Sequence, residues 1–232
     1  MFLGTNFSEY LLGDGNPHLI QLYRTVAEQP DRFIEVASSF FCEGNRSKER
    51  YLEIRREFND RSDVLLRAAQ FLYMNKFVFN GLCRYNRSGQ FNVPYGHKAG
   101  VPHFPLDEVE NFSKRARQAT FMHSDFVSVM QMARLGDVVY CDPPYLDREE
   151  AASFRAYGAG EFSFDRQCEL ADMARQLGMN GIPVAISNHD CAAARQLYSG
   201  AKILEFSVHR SVSASSVARG NVAEISRSSA HN

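Results

Sequence analysis

The residues best placed to do chemistry lie in the run from Gly136 to Tyr145, where an apolar stretch ends in Asp142-Pro143-Pro144-Tyr145. Proline locks its own φ and confines the residue before it to extended backbone. Two prolines between a carboxylate and an aromatic ring therefore make a stiff ledge. Open α/β sheets place ligands at the C-terminal ends of their strands. A ledge there offers an acidic side chain, a carbonyl of fixed direction and a flat apolar surface, which together suit a planar base bearing an exocyclic amine. The plainer reading is that Pro-Pro ends a strand and turns the chain, and a four-residue motif alone does not decide between the two.

A second feature is a charge pattern. The net charge is −1, so bulk charge points to no partner, but from Val64 to Leu106 there is no Asp or Glu. That window holds Arg67, Lys76, Arg84, Arg87, Lys98, His97 and His103, interleaved with Phe71, Tyr73, Phe77, Phe79, Tyr85, Phe91, Tyr95 and Phe104. Cations for phosphate mixed with rings for exposed bases are a nucleic-acid footprint. The alternative is a core helix followed by a solvated basic loop, and Phe71 and Phe77 are expected to be core in either case.

These residues need a scaffold. The chain has 232 residues, 44% apolar and 23% charged, ordinary for a globular α/β domain with an insertion. It has no long apolar run and no basic-then-apolar start, so a cytoplasmic protein without a membrane partner is expected. Five scattered cysteines form no CxxC pair, which points to free thiols and no metal site. A short strand is expected to end at Asp14, followed by a helix over 16–28 capped by Asn16 with Pro17 in its first turn. Helical stretches follow near 46–58, 62–78 and 107–118, with a long loop or small hairpin at 79–105. After a strand near 120–123 and a helix at 125–134, strands and helices alternate: 137–141, 164–178, 182–188, 190–199 and 201–208. A Ser-rich loop comes at 211–216 and a last short strand at 221–225. This alternation predicts a doubly wound, mostly parallel sheet. Residues 1–28 and 119–232 would form the discontinuous core, and 29–118 a helical insertion suited to target recognition.

The segments FNGLCRYNRSGQFNVPYG (79–96), YCDPPY (140–145), IPVAISNHD (182–190) and the Arg-Ser pair at 210–211 together resemble the Dam-type, D12-class DNA adenine-N6 methyltransferases. The likeness runs in order over nearly the whole chain. It implies a Rossmann-like S-adenosylmethionine-dependent fold and methyl transfer from S-adenosylmethionine to an adenine flipped out of double-stranded DNA, typically in GATC, by a monomer of bacterial or phage origin. It implies that Asp142 and the carbonyl of Pro143 accept from the two amine hydrogens, with Pro144 completing the ledge and Tyr145 stacking on the base. Asp142 would also face the cofactor, and Asp14 would hold the ribose hydroxyls, although an Asp before Asn16-Pro17 can equally cap a helix. Arg84 would read a guanine edge. Leu82 and Pro94 would touch bases, Phe79 would wedge beside the extruded base, and Asn80 would meet DNA nearby. Arg87, Lys98 and His97 would meet phosphate, which positions without specifying. For Asn86 and Asn92, turn formation is the expected role.

The departure from the family pattern that matters most lies at the front, besides Phe79 for the usual Tyr, His97 for the usual Arg and a polar C-terminal run SRSSAHN. Members carry a Lys-Trp-Ala-Gly-Gly-Lys-like segment, a helix and a strand ending in a Gly-rich turn, on the order of 30 residues, and this chain starts just past that turn. The usual Ala-Asp-x-Asn is here Gly13-Asp14-Gly15-Asn16. Unpaired buried peptide groups cost about 1–3 kcal/mol each, against a total stability of roughly 5–15 kcal/mol. The expectation is a truncated product, a mis-assigned start or a new pairing that fills the gap. This keeps open a second function, a catalytically impaired homologue that keeps DNA binding without methyl transfer. A methyltransferase for RNA or another amine is a third.

Overall fold

Asn16 and Pro17 show how local sequence sets the first elements. The computed structural model describes residues 2–146, 162–209 and 221–228. Strand β1 (Tyr10–Asp14) stops at Asp14, whose Oδ1 accepts from the Asn16 amide at 2.7 Å. Asn16 Oδ1 then accepts from the amides of His18 and Leu19, and helix α1 (Pro17–Glu28) begins with proline at its first position. Proline costs nothing there, because its missing N–H has no helical partner. Asn16 is thus the helix cap, and Asp14 shapes the turn before it.

The chain divides into two compact units, Met1–Asp125 and Phe126–Asn232. In the first, α1 is followed by α2 (Pro30–Ser38), α3 (Lys48–Asp60), α4 (Val64–Phe77), α5 (Leu106–Ala116) and β2 (Ala119–His123). Strand β2 runs parallel to β1, with Tyr10 opposite Ala119 and Asp14 opposite His123. The core between the helices is aromatic: Phe33, Tyr51, Phe58, Tyr73 and Phe77 are all buried. Burying such a side chain is worth about 1.5–3 kcal/mol. The buried phenols of this core are satisfied, Tyr51 donating to the Val93 carbonyl at 2.9 Å, Tyr73 to that of Asn45 at 2.6 Å and Tyr95 to that of Arg46. Burial pushes Tyr51 up to about 12.

The second unit contains α6 (Phe126–Met130), β3 (Val139–Cys141), α7 (Phe164–Met179), β4 (Val184–Ile186), α8 (Ala192–Leu197), β5 (Lys202–His209) and β6 (Asn221–Ser228). Strands β3 and β4 are parallel, with Val139, Tyr140 and Cys141 opposite Val184, Ala185 and Ile186. Strands β5 and β6 are antiparallel, and β6 runs alongside β4. Leu170, Ala171 and Ala174 of α7 bury against Val184 and Ile186.

The alternation of strands and helices is present, but among the described residues the strands are not joined into the expected continuous sheet. Among the described residues the pairings are β1–β2, β3–β4 and β5–β6, each two-stranded. Strands β3 and β4 are only three residues long because their ladder spans only those pairs. The helix expected over 125–134 closes at Met130, after which Met132 and Ala133 make tight turns onto Val129 and Met130. Helix α2 was not expected from sequence. The last strand is longer than the expected 221–225. The Arg210–Ser211 pair and the loop 211–216 lie outside the described residues. No described helix is long and apolar enough to cross a membrane.

Candidate functional site

In the second unit, the ledge leaves β3 with Asp142 exposed, Pro143 buried, Pro144 exposed and Tyr145 half-buried. Strand β4 ends beside it, and the next two residues, Ser187 and Asn188, are 3% and 0% exposed. The Ser187 amide extends the ladder by donating to the Cys141 carbonyl at 3.0 Å. Its hydroxyl donates to Asp142 Oδ1 at 2.6 Å, and Tyr140 donates to that hydroxyl at 3.1 Å. Asp142 is therefore aimed by a partner that is itself aimed. Asn188 Oδ1 accepts from the amides of Leu146 and His189, both at 2.9 Å.

The far side of the ledge is pinned from α7. Buried Gln167 donates through Nε2 to the Pro144 carbonyl at 2.6 Å, and its Oε1 faces Asn188 at 3.5 Å and Tyr198 at 3.4 Å. Tyr145 packs edge-on to His189, ring centroids 5.0 Å apart, and the His189 Nδ1 meets the Leu146 carbonyl at 2.8 Å. Among the described residues nothing donates to the Pro143 carbonyl, so it and Asp142 remain available to an incoming amine. Cys141 is no competitor as a nucleophile, because burial pushes its thiol up to about 12.

In the first unit, Asp14 is an exposed carboxylate at the C-terminal end of β1. The hairpin 79–98 is built by strand alternation. Phe91, Val93 and Tyr95 are buried, so Asn92 and Pro94 face the other way. Helix α3 holds this limb: Arg55 donates to the Val93 carbonyl, and Asn59 exchanges hydrogen bonds with both backbone groups of Phe91. Single antiparallel pairs join Val78 to Tyr95 and Tyr85 to Phe91. The 3-10 turn Phe79–Gly81 between them contains Asn80.

On the outer face Phe79 and Leu82 are 46% and 49% exposed, beside exposed Arg84 and Pro94. An exposed ring and an exposed aliphatic side chain thus gather with Arg84 on one face of the hairpin. Arg87 and His97 are exposed, Lys98 is half-buried, and His97 has a positive φ of 46°. Asn86 makes the hairpin turn, accepting from the amides of Ser88 and Gln90. Asn92 does not make a turn. Its Oδ1 accepts from Arg84 Nε at 2.9 Å and its carbonyl from an Arg84 terminal nitrogen at 3.3 Å, which aims the guanidinium. Gly96 lets the two limbs meet, since a Cβ there would sit 2.3 Å from the Val78 carbonyl oxygen.

The site residues thus gather at two places, one in each unit. Sequence reasoning assigned no role to Ser187, Asn188, Gln167 or His189. Three of them, Ser187, Asn188 and His189, sit directly after β4, within the segment 182–190 that carries the resemblance, whereas Gln167 carries no such signal. Among the described residues no group of acids, His and Cys could hold a metal.

The family model for D12 class N6 adenine-specific DNA methyltransferases matches residues 1–212. The DNA adenine methylase of Vibrio cholerae serotype O1 is 42% identical over 226 residues, covering 97% of this chain and 81% of that protein. That of Salmonella typhimurium is 41% identical over 225 residues, with the same coverage. The Escherichia coli K12 enzyme is 40% identical over 225 residues, again covering 97% and 81%. A family match over most of the chain, and relatives at this identity along their length, place the chain in the D12 class of N6 adenine-specific DNA methyltransferases.

Proposed function

We propose that this protein methylates the N6 amine of an adenine flipped out of duplex DNA, within GATC, with S-adenosylmethionine as donor. The observation that carries the reading is the Asp142 carboxylate, held by Ser187 beside a Pro143 carbonyl that no described residue engages. The amine cannot be reached inside the stack, so the base must leave it. Asp142 and the Pro143 carbonyl accept its two hydrogens, which frees the lone pair from the ring. Tyr145, fixed by His189, stacks on the base. The nitrogen gains positive charge in the transition state, and the carboxylate opposes that charge without having to reorganise.

The chain has groups suited to the donor. Asp14 is exposed at a strand end with only its Oδ1 drawn into the turn, a setting that fits ribose hydroxyls. When bound, S-adenosylmethionine supplies a sulfonium methyl for in-line displacement. Residues 1–28 and 119–232 would then form the Rossmann-like, doubly wound catalytic core, and 29–118 the recognition domain. Arg84 reads a guanine, Leu82 and Pro94 contact bases, Phe79 wedges into the vacated place, and Asn80 touches DNA nearby. Arg87, His97 and Lys98 bind phosphate.

Asp142→Ala tests the assignment. Methyl transfer to duplex oligonucleotides should fall at least 100-fold, the scale of losing one preorganised charge-stabilising group, with duplex affinity retained. Wild-type turnover in the variant removes Asp142 from the mechanism. The second reading, a homologue that binds DNA without transferring methyl, predicts sequence-specific duplex binding by the unaltered protein with no calorimetric response to S-adenosylmethionine.

A further inference from the structure

A chain of hydrogen bonds in the first unit ties the Asp14 turn to the Arg84 hairpin, and no role proposed above uses it. Helix α4 supplies Arg67, whose terminal nitrogen contacts His18 Nε2. His18 Nδ1 meets the Tyr85 hydroxyl at 2.8 Å. Tyr85 donates to Asn16 Oδ1 at 3.1 Å, and Asn16 Nδ2 donates to Cys83 Sγ at 3.3 Å. Asn16 is the α1 cap, two residues after Asp14, and its amide is the one Asp14 holds. Tyr85 follows Arg84 directly. Its ring is stacked on His18 at 5.3 Å between centroids, and its partner across the hairpin is Phe91.

Donor and acceptor inventory fixes the direction of the chain. Arginine can only donate, so His18 Nε2 must accept. His18 is then neutral with its proton on Nδ1, which donates to Tyr85. The phenol must pass its own proton to Asn16 Oδ1. Each link admits one orientation, and reversing any one sets donor against donor. Arg67 lies over the Phe58 ring, 5.4 Å from its centroid, and among the described residues no carboxylate pairs with it. Its Nε is buried without a hydrogen-bond partner. An ordinary structural arginine would have an acid here. Arg67 is instead committed to His18.

We infer that Tyr85 and His18 are positioning residues that couple the cofactor turn at Asp14–Asn16 to the DNA-reading hairpin, so that occupancy of one site strengthens specific binding at the other. The inference rests on the proposed roles of Asp14 and Arg84. A ligand that orders the Asp14 turn fixes Asn16, hence the Tyr85 hydroxyl, hence the backbone that carries Arg84. By linkage, specific DNA tightens the cofactor site by the same factor. The chain also explains why a tyrosine, and not a phenylalanine, lies next to the base-reading arginine.

The test is calorimetric affinity for S-adenosylhomocysteine, alone and with a duplex carrying one GATC site or a scrambled one. The unaltered protein should bind it on the order of 5-fold more tightly with the GATC duplex than with the scrambled one, the lower end of usual coupling. Tyr85→Phe keeps the ring and its stacking but loses the donor. It should bring that ratio to near 1, with affinity in the absence of DNA within about twofold of the unaltered protein. His18→Leu, which can neither accept nor donate, breaks the same chain at another link and should do likewise, so one ill-folded variant does not leave the question open. A merely structural role would lower melting temperature and leave the ratio unchanged, and an unchanged ratio in both variants overturns the coupling. No binding of S-adenosylhomocysteine to any form overturns the Asp14 assignment itself, and the coupling with it.

Discussion

Ser187→Ala isolates one atom of the proposed mechanism. The substitution removes the hydroxyl that donates to Asp142 Oδ1 at 2.6 Å and leaves the ladder bond from the Ser187 amide intact. Hydrogen bonds to a charged group contribute about 1.5–3 kcal/mol. Asp142 is exposed, so water replaces part of the lost bond, and the lower end of that range applies. About 1.4 kcal/mol of transition-state stabilisation corresponds to tenfold in rate. The ground-state complex depends on the hairpin and the stacked base, so the loss belongs in kcat. The expected result is about tenfold lower single-turnover methyl transfer from labelled donor, with duplex Kd unchanged. Tyr140 loses an acceptor, but at 42% exposure its hydroxyl turns to water, so melting temperature should hold. Unaltered kcat would mean that Asp142 needs no aiming. A fall in duplex affinity with kcat intact would mean that the Ser187–Asp142 pair serves binding.

Four further outcomes follow from other contacts. Arg84→Ala should cost about 1–3 kcal/mol of discrimination at one guanine, read by competition among single-substituted duplexes, and uniform weakening on all duplexes would make Arg84 a phosphate contact. Asn92→Ala should give a smaller loss at the same guanine. Gly96→Ala forces a Cβ to within 2.3 Å of the Val78 carbonyl oxygen, so the limbs must part, and a melting temperature equal to that of the unaltered protein would contradict the close approach. Burial first, then the charges of Arg67 and His123, pull His18 down to about 4, below its ordinary 6.5. A depressed folded-state value means that the unfolded chain takes up the proton first. The contribution of His18 is therefore present above about 6.5 and is lost as pH falls toward 4. His18→Gln should flatten the melting-temperature profile in that window, with Tyr85 unable to titrate there, and an unchanged profile refutes the assignment.

Much of this molecule was legible because certain residues speak locally. Asn16-Pro17 announced α1 to within a residue, and the helix expected over 164–178 is α7 to within a residue. Helix α2 was missed because Pro30 reads as a break, although at a first helical position proline opens a helix. Strands β3 and β4 are shorter than their apolar runs because strand length is set by the partner's ladder, which a run of valines does not reveal. The ledge could be found because prolines flanking an acid are rare. Ser187 and Asn188 lay within the family-like segment 182–190 without a role, and Gln167 had no signal at all, because these residue types are common and only their burial against the ledge shows what they do. Asn92 was read as a turn-former because asparagine usually is one. Its role as the clamp of Arg84 depends on a pairing across the hairpin, which no single segment encodes.

The central claim is a distance. A structure of the protein with a GATC duplex and a non-reactive analogue of S-adenosylmethionine should show the adenine extruded, with N6 about 2.8–3.2 Å from both an Asp142 carboxylate oxygen and the Pro143 carbonyl oxygen. Full specific binding with the adenine still stacked in the duplex, or extruded with N6 beyond about 4 Å from both oxygens, contradicts the account.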